Sequence, residues 1–304
     1  MKRGWKTALR LGLVLLLAAP GAVLGMKMTR NVPYARVPGV PLNLTSLDIY
    51  APDDAGPAKR CPVMIYIHGG AWARGDKSKV GYKPAAFTAR GYVFVSANYR
   101  LTTATIKFPV HAYDVARAVG WVRRNGVRYG ANPERLFLMG HSAGCHLVAV
   151  VSDDPVYLKA QGLGLRVVKG VIDLDTAVYD LPRLAARNGG TLPSPYLETF
   201  GSDPADWVRA SPISHVRGGR GIAPQLVVYS GSPVNALIGV GFRKEQADAY
   251  ARALRRAGVK NRILPAPRKT HAEVNREFGK PGDPVSAACF AFLAGILRDL
   301  ERPT

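Results

Sequence analysis

Short apolar runs alternate along this chain with longer stretches in which apolar residues recur every three or four positions. Asn43–Tyr50 alternates apolar and polar residues like an early strand and ends at Ala51-Pro52. Cys61–Ile67, Gly91–Tyr99, Arg135–Met139, Val167–Asp175, Pro224–Ser230 and Arg262–Pro265 read as further strands. Most of these are nearly continuous apolar runs, as expected of strands covered on both faces. Between them the pattern predicts helices over Tyr82–Arg90, Pro109–Tyr129, Cys145–Val151, Arg243–Ala257 and Pro284–Leu300. In the second, Val115, Ala118, Val119 and Val122 share one face. Asn132-Pro133 reads as a turn into the strand that follows. Strands and helices alternating in this way imply an α/β fold with a mostly parallel sheet and helices on both sides. Residues 180–222 are loop-rich with short helical pieces and are expected to roof a pocket. Residues 26–304 are expected to form one α/β domain, with no internal repeat.

The 304 residues, 47% of them hydrophobic, suffice for one large core. Residues 1–25 stand apart. A basic start with Lys2, Arg3, Lys6 and Arg10 precedes an apolar run from Leu11 to Gly25, broken by Pro20 and short for a membrane span. This composition is that of a signal peptide or an uncleaved N-terminal anchor, which implies an exported, periplasmic or secreted protein with peripheral membrane association as an option. Cys61, Cys145 and Cys289 are too few and too scattered for a disulfide framework and read as isolated buried thiols. The formal charge is +21, yet the arginines are scattered and no stripe of basic residues with interleaved aromatics marks a nucleic-acid surface. No nucleic-acid partner is expected.

The chemistry is concentrated in two short motifs. Gly-His-Ser-Ala-Gly at 140–144 lies between a predicted strand and a predicted helix. A serine on such a sharp turn has its hydroxyl lifted clear of the backbone, and the helix N-terminus behind it favours developing negative charge. His-Gly-Gly-Ala-Trp at 68–72 follows an apolar strand, and consecutive glycines let backbone N–H groups approach a reacting carbonyl oxygen. Ser142 is therefore the candidate nucleophile, with Gly69, Gly70 and Ala143 as the candidate oxyanion donors.

A serine nucleophile needs a base, and the chain has six histidines. His68 belongs to the glycine motif, His111 precedes the serine, and His141 and His146 flank it too closely to turn back on it. Of His215 and His271, only His271 follows the last predicted strand, in the loop Arg268–Glu273, so it is the candidate base. The acid is less clear. After the strand at 224–230 the chain reads Gly231-Ser232-Pro233-Val234-Asn235-Ala236, without a carboxylate. The preceding strand ends in Asp173-Leu174-Asp175, whose two carboxylates share a face by strand alternation. Asp175, nearer the C-terminal edge where such sheets bind ligands, is the first candidate. Asp173, Glu245 and no acid at all remain alternatives, while Asp180 reads as a loop or helix cap.

From about residue 44 to 300 the chain resembles the α/β-hydrolase superfamily, specifically small esterases grouped with hormone-sensitive-lipase-like and kynurenine-formamidase-like (BD-FAE-type) enzymes. The resemblance is carried by His68–Trp72, Asn98–Leu101, Gly140–Gly144, Tyr179–Leu181, Ser211–Ile213 and the His271 segment. It implies a serine carboxylesterase that works through an acyl-enzyme on a small ester, without metal or organic cofactor. Two other readings stay open: an arylformamidase-like amide hydrolase, and a non-catalytic binding protein on the same fold, suggested by the missing carboxylate after residue 230.

Overall fold

A computed structural model of the chain describes residues 25–176, 178–231 and 240–302, with the side chains of residues 240 and 241 left aside. The expected export segment therefore lies, but for Gly25, outside the described residues.

Among the described residues eight strands form one sheet: β1 (Met26–Pro33), β2 (Ser46–Pro52), β3 (Cys61–Ile67), β4 (Val93–Ala97), β5 (Ala131–His141), β6 (Val168–Leu174), β7 (Gln225–Ser230) and β8 (Asn261–Ala266). Their spatial order is β1-β2-β4-β3-β5-β6-β7-β8. The pairs β1–β2 and β2–β4 are antiparallel, and every other neighbouring pair is parallel. Among the described residues ten helices connect or cover them: α1 (Lys83–Thr88), α2 (Val110–Asn125), α3 (Ala143–Asp153), α4 (Pro155–Lys159), α5 (Leu181–Arg187), α6 (Tyr196–Phe200), α7 (Pro204–Ala210), α8 (Val240–Arg256), α9 (His271–Arg276) and α10 (Pro284–Glu301).

The central strands divide their side chains between two cores, as the period of two requires. Val63, Ile65, Ile67, Leu136 and Leu138 join Val115, Val119 and Leu147 of α2 and α3. Met64, Tyr66, Phe137 and Met139 face the other way, onto Phe87 of α1 and Val285, Cys289 and Leu293 of α10. Burial on both faces explains why these strands carry so little polar alternation. Cys61, Cys145 and Cys289 are buried free thiols.

Several boundaries differ from the sequence expectation. Strand β1 escaped it because its residues are exposed or half-buried, so no apolar stripe marks it. The segment 43–45 forms a tight 3-10 turn, and β2 begins only at Ser46. The helix expected to reach Tyr129 is α-helical only to Asn125; a 3-10 turn follows and ends at Gly130, whose φ is 79°. Asn132 and Pro133 lie inside β5, where the pairing with β3 shifts register between Cys61 and Val63, so the expected turn is a strand irregularity.

Asn98-Tyr99-Arg100 ties β4 to α2. Arg100 makes a two-pronged ion pair with the buried Asp114, Nε to Oδ2 at 2.6 Å and Nη2 to Oδ1 at 2.8 Å. Residues 180–222 fold as α5, α6, α7 and a 3-10 turn over Pro212–His215. Their aromatic side chains bear on the glycine motif: Phe200 lies 4.9 Å and Tyr196 5.4 Å, ring to ring, from Trp72.

A closed polar ring is buried between α3, β7 and α8. Gln225 Nε2 donates to Asp153 Oδ1 at 2.7 Å, while Tyr250 Oη lies 2.5 Å from Asp153 Oδ2 and 2.6 Å from Gln225 Oε1. The tyrosine has one proton for two acceptor oxygens, so the ring closes only when the carboxyl supplies the other. Burial pushes Asp153 up to about 7, against the lowering hydrogen bonds from Tyr250 and Gln225. Between the ordinary value of 3.8 and about 7 the folded chain thus holds a proton that the unfolded chain has lost. Stability carried by this group is complete below that window and falls as pH rises through it. Asp153→Asn, whose amide supplies the same donor and acceptor, is expected to abolish the decline. Urea unfolding between pH 4 and 8 should show the variant gaining about 2–4 kcal/mol on the wild type across the window; parallel curves would refute the assignment.

Candidate active site

Ser142 stands alone between the end of β5 and the start of α3, with φ 56° and ψ −120°. That backbone is strained for any residue with a side chain, and the surrounding packing enforces it. A Cβ at Gly140 would lie 2.2 Å from Gly144 O, and one at Gly144 would lie 2.1 Å from Ile67 O. Only glycine lets β5, α3 and β3 meet so closely. The Ser142 N–H donates to Leu174 O at 3.4 Å, tying the turn to the end of β6. Its Oγ has no hydrogen-bond partner among the described residues. Among the described residues, four of the five non-glycine residues with positive φ cluster here: Ala71, Trp72, Ser142 and Asp175.

The glycine loop lies against this turn. A Cβ at Gly69 would stand 2.9 Å from both Ser142 Cβ and His141 O. The Gly69 carbonyl is 2.8 Å from His68 Nδ1, and since a carbonyl only accepts, that nitrogen carries the proton. His68 is buried, stacks on Tyr99 at 4.6 Å, and is held neutral by its burial. Fixing the Gly69 carbonyl also fixes the Gly70 N–H, which points the opposite way across the trans peptide. Among the described residues the N–H groups of Gly69, Gly70 and Ala143 donate to no acceptor. They are the donors expected from the sequence, left free beside the serine.

His271, expected in a loop, is instead the first residue of α9. Thr270 caps this helix, and a reciprocal capping box joins Thr270 and Glu273. The Thr-x-x-Glu signature was present in the sequence and predicts that boundary. Three further contacts hold the helix. His141 Nε2 donates to the His271 carbonyl at 2.9 Å, and the two rings lie 4.5 Å apart. Burial drives His141 down to about 3, so it acts as a neutral donor. Tyr66 Oη donates to Asn275 Oδ1 at 2.9 Å, and Lys83 Nζ to Asn275 O at 2.6 Å. Lys83 is pushed down to about 7 by burial alone.

The carboxylate that meets His271 is Asp175, with Oδ2 2.8 Å from Nδ1. Asp175 sits one residue past β6 with φ 58°, which takes its side chain off the strand's alternation. Asp173 and Asp175 therefore meet different partners instead of sharing a face. Asp173 is buried near Cys145 Sγ, and its Oδ2 has no partner among the described residues. Burial raises the Asp175 carboxyl, but His271, Arg243 and Ser230 outweigh that and hold it below the ordinary carboxylate range. Ser230 N–H at the end of β7 donates to Asp175 Oδ1 at 3.0 Å. Strand β7 thus contributes a donor to the acid. Of the carboxylate-free segment 231–236, residues 232–236 lie outside the described residues.

The remaining candidates are engaged elsewhere. Glu245 pairs with Arg183 and Arg187. Asp180 caps α5, accepting from Arg183 N. His215 meets Arg209 O, His146 meets Ala210 O, and His111 meets Thr102 Oγ1. Among the described residues no group of three or more His, Cys, Asp or Glu is placed to hold a metal ion. The sequence reading missed the supports, namely His141, Tyr66, Lys83, Ser230 and Arg243, because each acts through a contact distant in sequence.

The BD-FAE family model matches residues 47–163. Esterase LipQ of Mycobacterium tuberculosis is 33% identical over 247 residues, covering 76% of this chain and 53% of LipQ. Kynurenine formamidase of Danio rerio is 29% identical over 245 residues, covering 76% of this chain and 70% of that one. The chain spans about half the length of LipQ and 28% of Esterase LipC from the same organism. Among solved structures, a truncated carbohydrate esterase from gut microbiota superposes with a TM-score of 0.73 at 20% identity, covering 91% of this chain and 98% of that one. Propionate-bound Est2 of Thermogutta terrifontis superposes with a TM-score of 0.68 at 23% identity, covering 94% and 98%. Strand order, the serine turn and these likenesses agree on the fold, which is that of the α/β-hydrolases.

Proposed function

We propose that this protein is a serine hydrolase of the BD-FAE type that cleaves small carboxylic esters through an acyl-enzyme. The observation that carries this reading is the Asp175–His271 hydrogen bond, formed beside a serine on a strained turn that faces free backbone donors. Asp175, ionised, accepts from His271 Nδ1–H, which leaves Nε2 bare as the proton acceptor. Ser142 Oγ attacks the ester carbonyl as His271 takes its proton. The N–H groups of Gly69, Gly70 and Ala143 then hold the oxyanion, in a loop whose orientation is set before substrate arrives. His271 passes the proton to the departing alcohol, and the same ring activates water to release the acid. No step calls on a metal or organic cofactor.

Two supports for narrower readings differ in kind. Likeness to a kynurenine formamidase favours aryl-formamides as an alternative substrate class, and N-formylkynurenine assayed beside phenyl acetate separates the two. The basic and apolar composition of residues 1–25 supports export, with either cleavage or retention as an anchor.

Ser142→Ala is expected to abolish p-nitrophenyl acetate turnover and fluorophosphonate labelling while leaving the melting temperature nearly unchanged, because it removes one half-buried hydroxyl. A wild-type protein that the probe does not label would instead indicate a non-catalytic member of the fold.

Asp175→Asn keeps the shape of the acid but offers His271 a neutral partner. It is expected to lower kcat by on the order of 10²–10⁴. A loss below about tenfold would exclude Asp175 as the orienting acid.

A further inference from the structure

Arg243 lies near the start of α8 and is linked to Asp175 through Ser230. Its residue is 5% exposed, its Nη1 donates to Ser230 Oγ at 3.2 Å, and its Nε has no partner among the described residues. No carboxylate lies within 4 Å of its guanidinium among the described residues. Residues 232–239, which precede α8, contain no titratable side chain, and residues 1–24 contain no acidic one. A buried cation without a counter-charge is costly, and the charge it faces here is Asp175.

The contacts form a line: Arg243 to Ser230 Oγ, Ser230 N–H to Asp175 Oδ1, Asp175 Oδ2 to His271 Nδ1. The charge of a buried aspartate favours the imidazolium form of the histidine it binds, and a cation on the same aspartate opposes that. We propose that Arg243 is a positioning residue of this site, balancing the charge of Asp175 through Ser230 and so keeping His271 available as a neutral base. The proposal rests on the assignment of Asp175 and His271 given above. It also accounts for the displaced acid: the strand-and-helix unit that lacks the carboxylate supplies a donor and a cation to the carboxylate next door.

The other titratable groups facing the pair carry no charge that could substitute. His141 of β5 is held neutral by burial. Cys145 of α3 is kept as a thiol, its burial raising it well above the usual thiol range. Lys83 of α1 reaches His271 only through His141 and Asn275. Glu273 of α9 is turned into its own capping box.

The test is an NMR pH titration of the His271 imidazole in the whole chain, its resonance identified by loss in His271→Asn. Arg243→Gln is expected to raise the His271 midpoint by about one pH unit, and Arg243→Lys, which keeps the charge, to leave it within about a third of a unit of wild type. The acidic limb of kcat/KM should move with the midpoint. A Gln variant that melts lower without moving the midpoint, or a Lys variant displaced as far as Gln, overturns the proposal. If Arg243→Gln does not fold, the double variant Arg243→Gln/Asp175→Asn decides. Removing both charges together must restore folding, and failure to do so overturns the proposal. A wild type inert toward esters would sink the proposed function while the titration still reads the charge coupling.

Discussion

The site depends on one hydrogen bond, Asp175 to His271, made between residues 96 positions apart. Neither partner belongs to a regular element by its side chain's direction. Asp175 leaves β6 through a left-handed residue, and His271 opens a helix of only six residues. Such a contact is no stronger than the scaffolds that present its two ends. Those scaffolds are the sheet's C-terminal edge, where β5, β6 and β7 end side by side, and the short helix α9. Ser142 N–H on Leu174 O and Asp175 N–H on Val228 O link the three strand ends. Their relative placement is therefore a property of the sheet, which strands packed on both faces make stiff.

Around that edge, strain and unsatisfied polarity are concentrated on one side of the molecule. Positive φ at Ala71, Trp72, Ser142 and Asp175 costs energy at each residue, offset by packing that leaves no alternative conformation. Gly140 and Gly144 touch backbone that no other residue type would clear. In return the N–H groups of Gly69, Gly70 and Ala143 donate to no acceptor among the described residues. That arrangement is poor for stability and suited to a developing oxyanion.

Most of the fold was legible from residue pattern alone. The parallel strands run as uninterrupted apolar segments because each is covered twice, and their order along the chain prescribes helices between them. Serine and glycine motifs were equally plain, since their chemistry needs particular residues at adjacent positions. Edge strand β1 was not legible, because a strand exposed on its faces needs no apolar stripe. The start of α9 could have been read from Thr270 and Glu273, whose spacing is a capping signature independent of the fold.

What the sequence by itself determined is a serine turn, a glycine loop and a late histidine, because each is a local demand of backbone geometry or of chain order. Tertiary structure alone decided which carboxylate meets the histidine. Strand alternation predicts that Asp173 and Asp175 share a face, whereas the left-handed backbone at 175 sends one to His271 and leaves the other buried near Cys145. It also decided the roles of His141, Lys83, Ser230 and Arg243, each ordinary in its own segment. Their importance comes from burial and from distances under 4 Å across the fold, which no local pattern encodes.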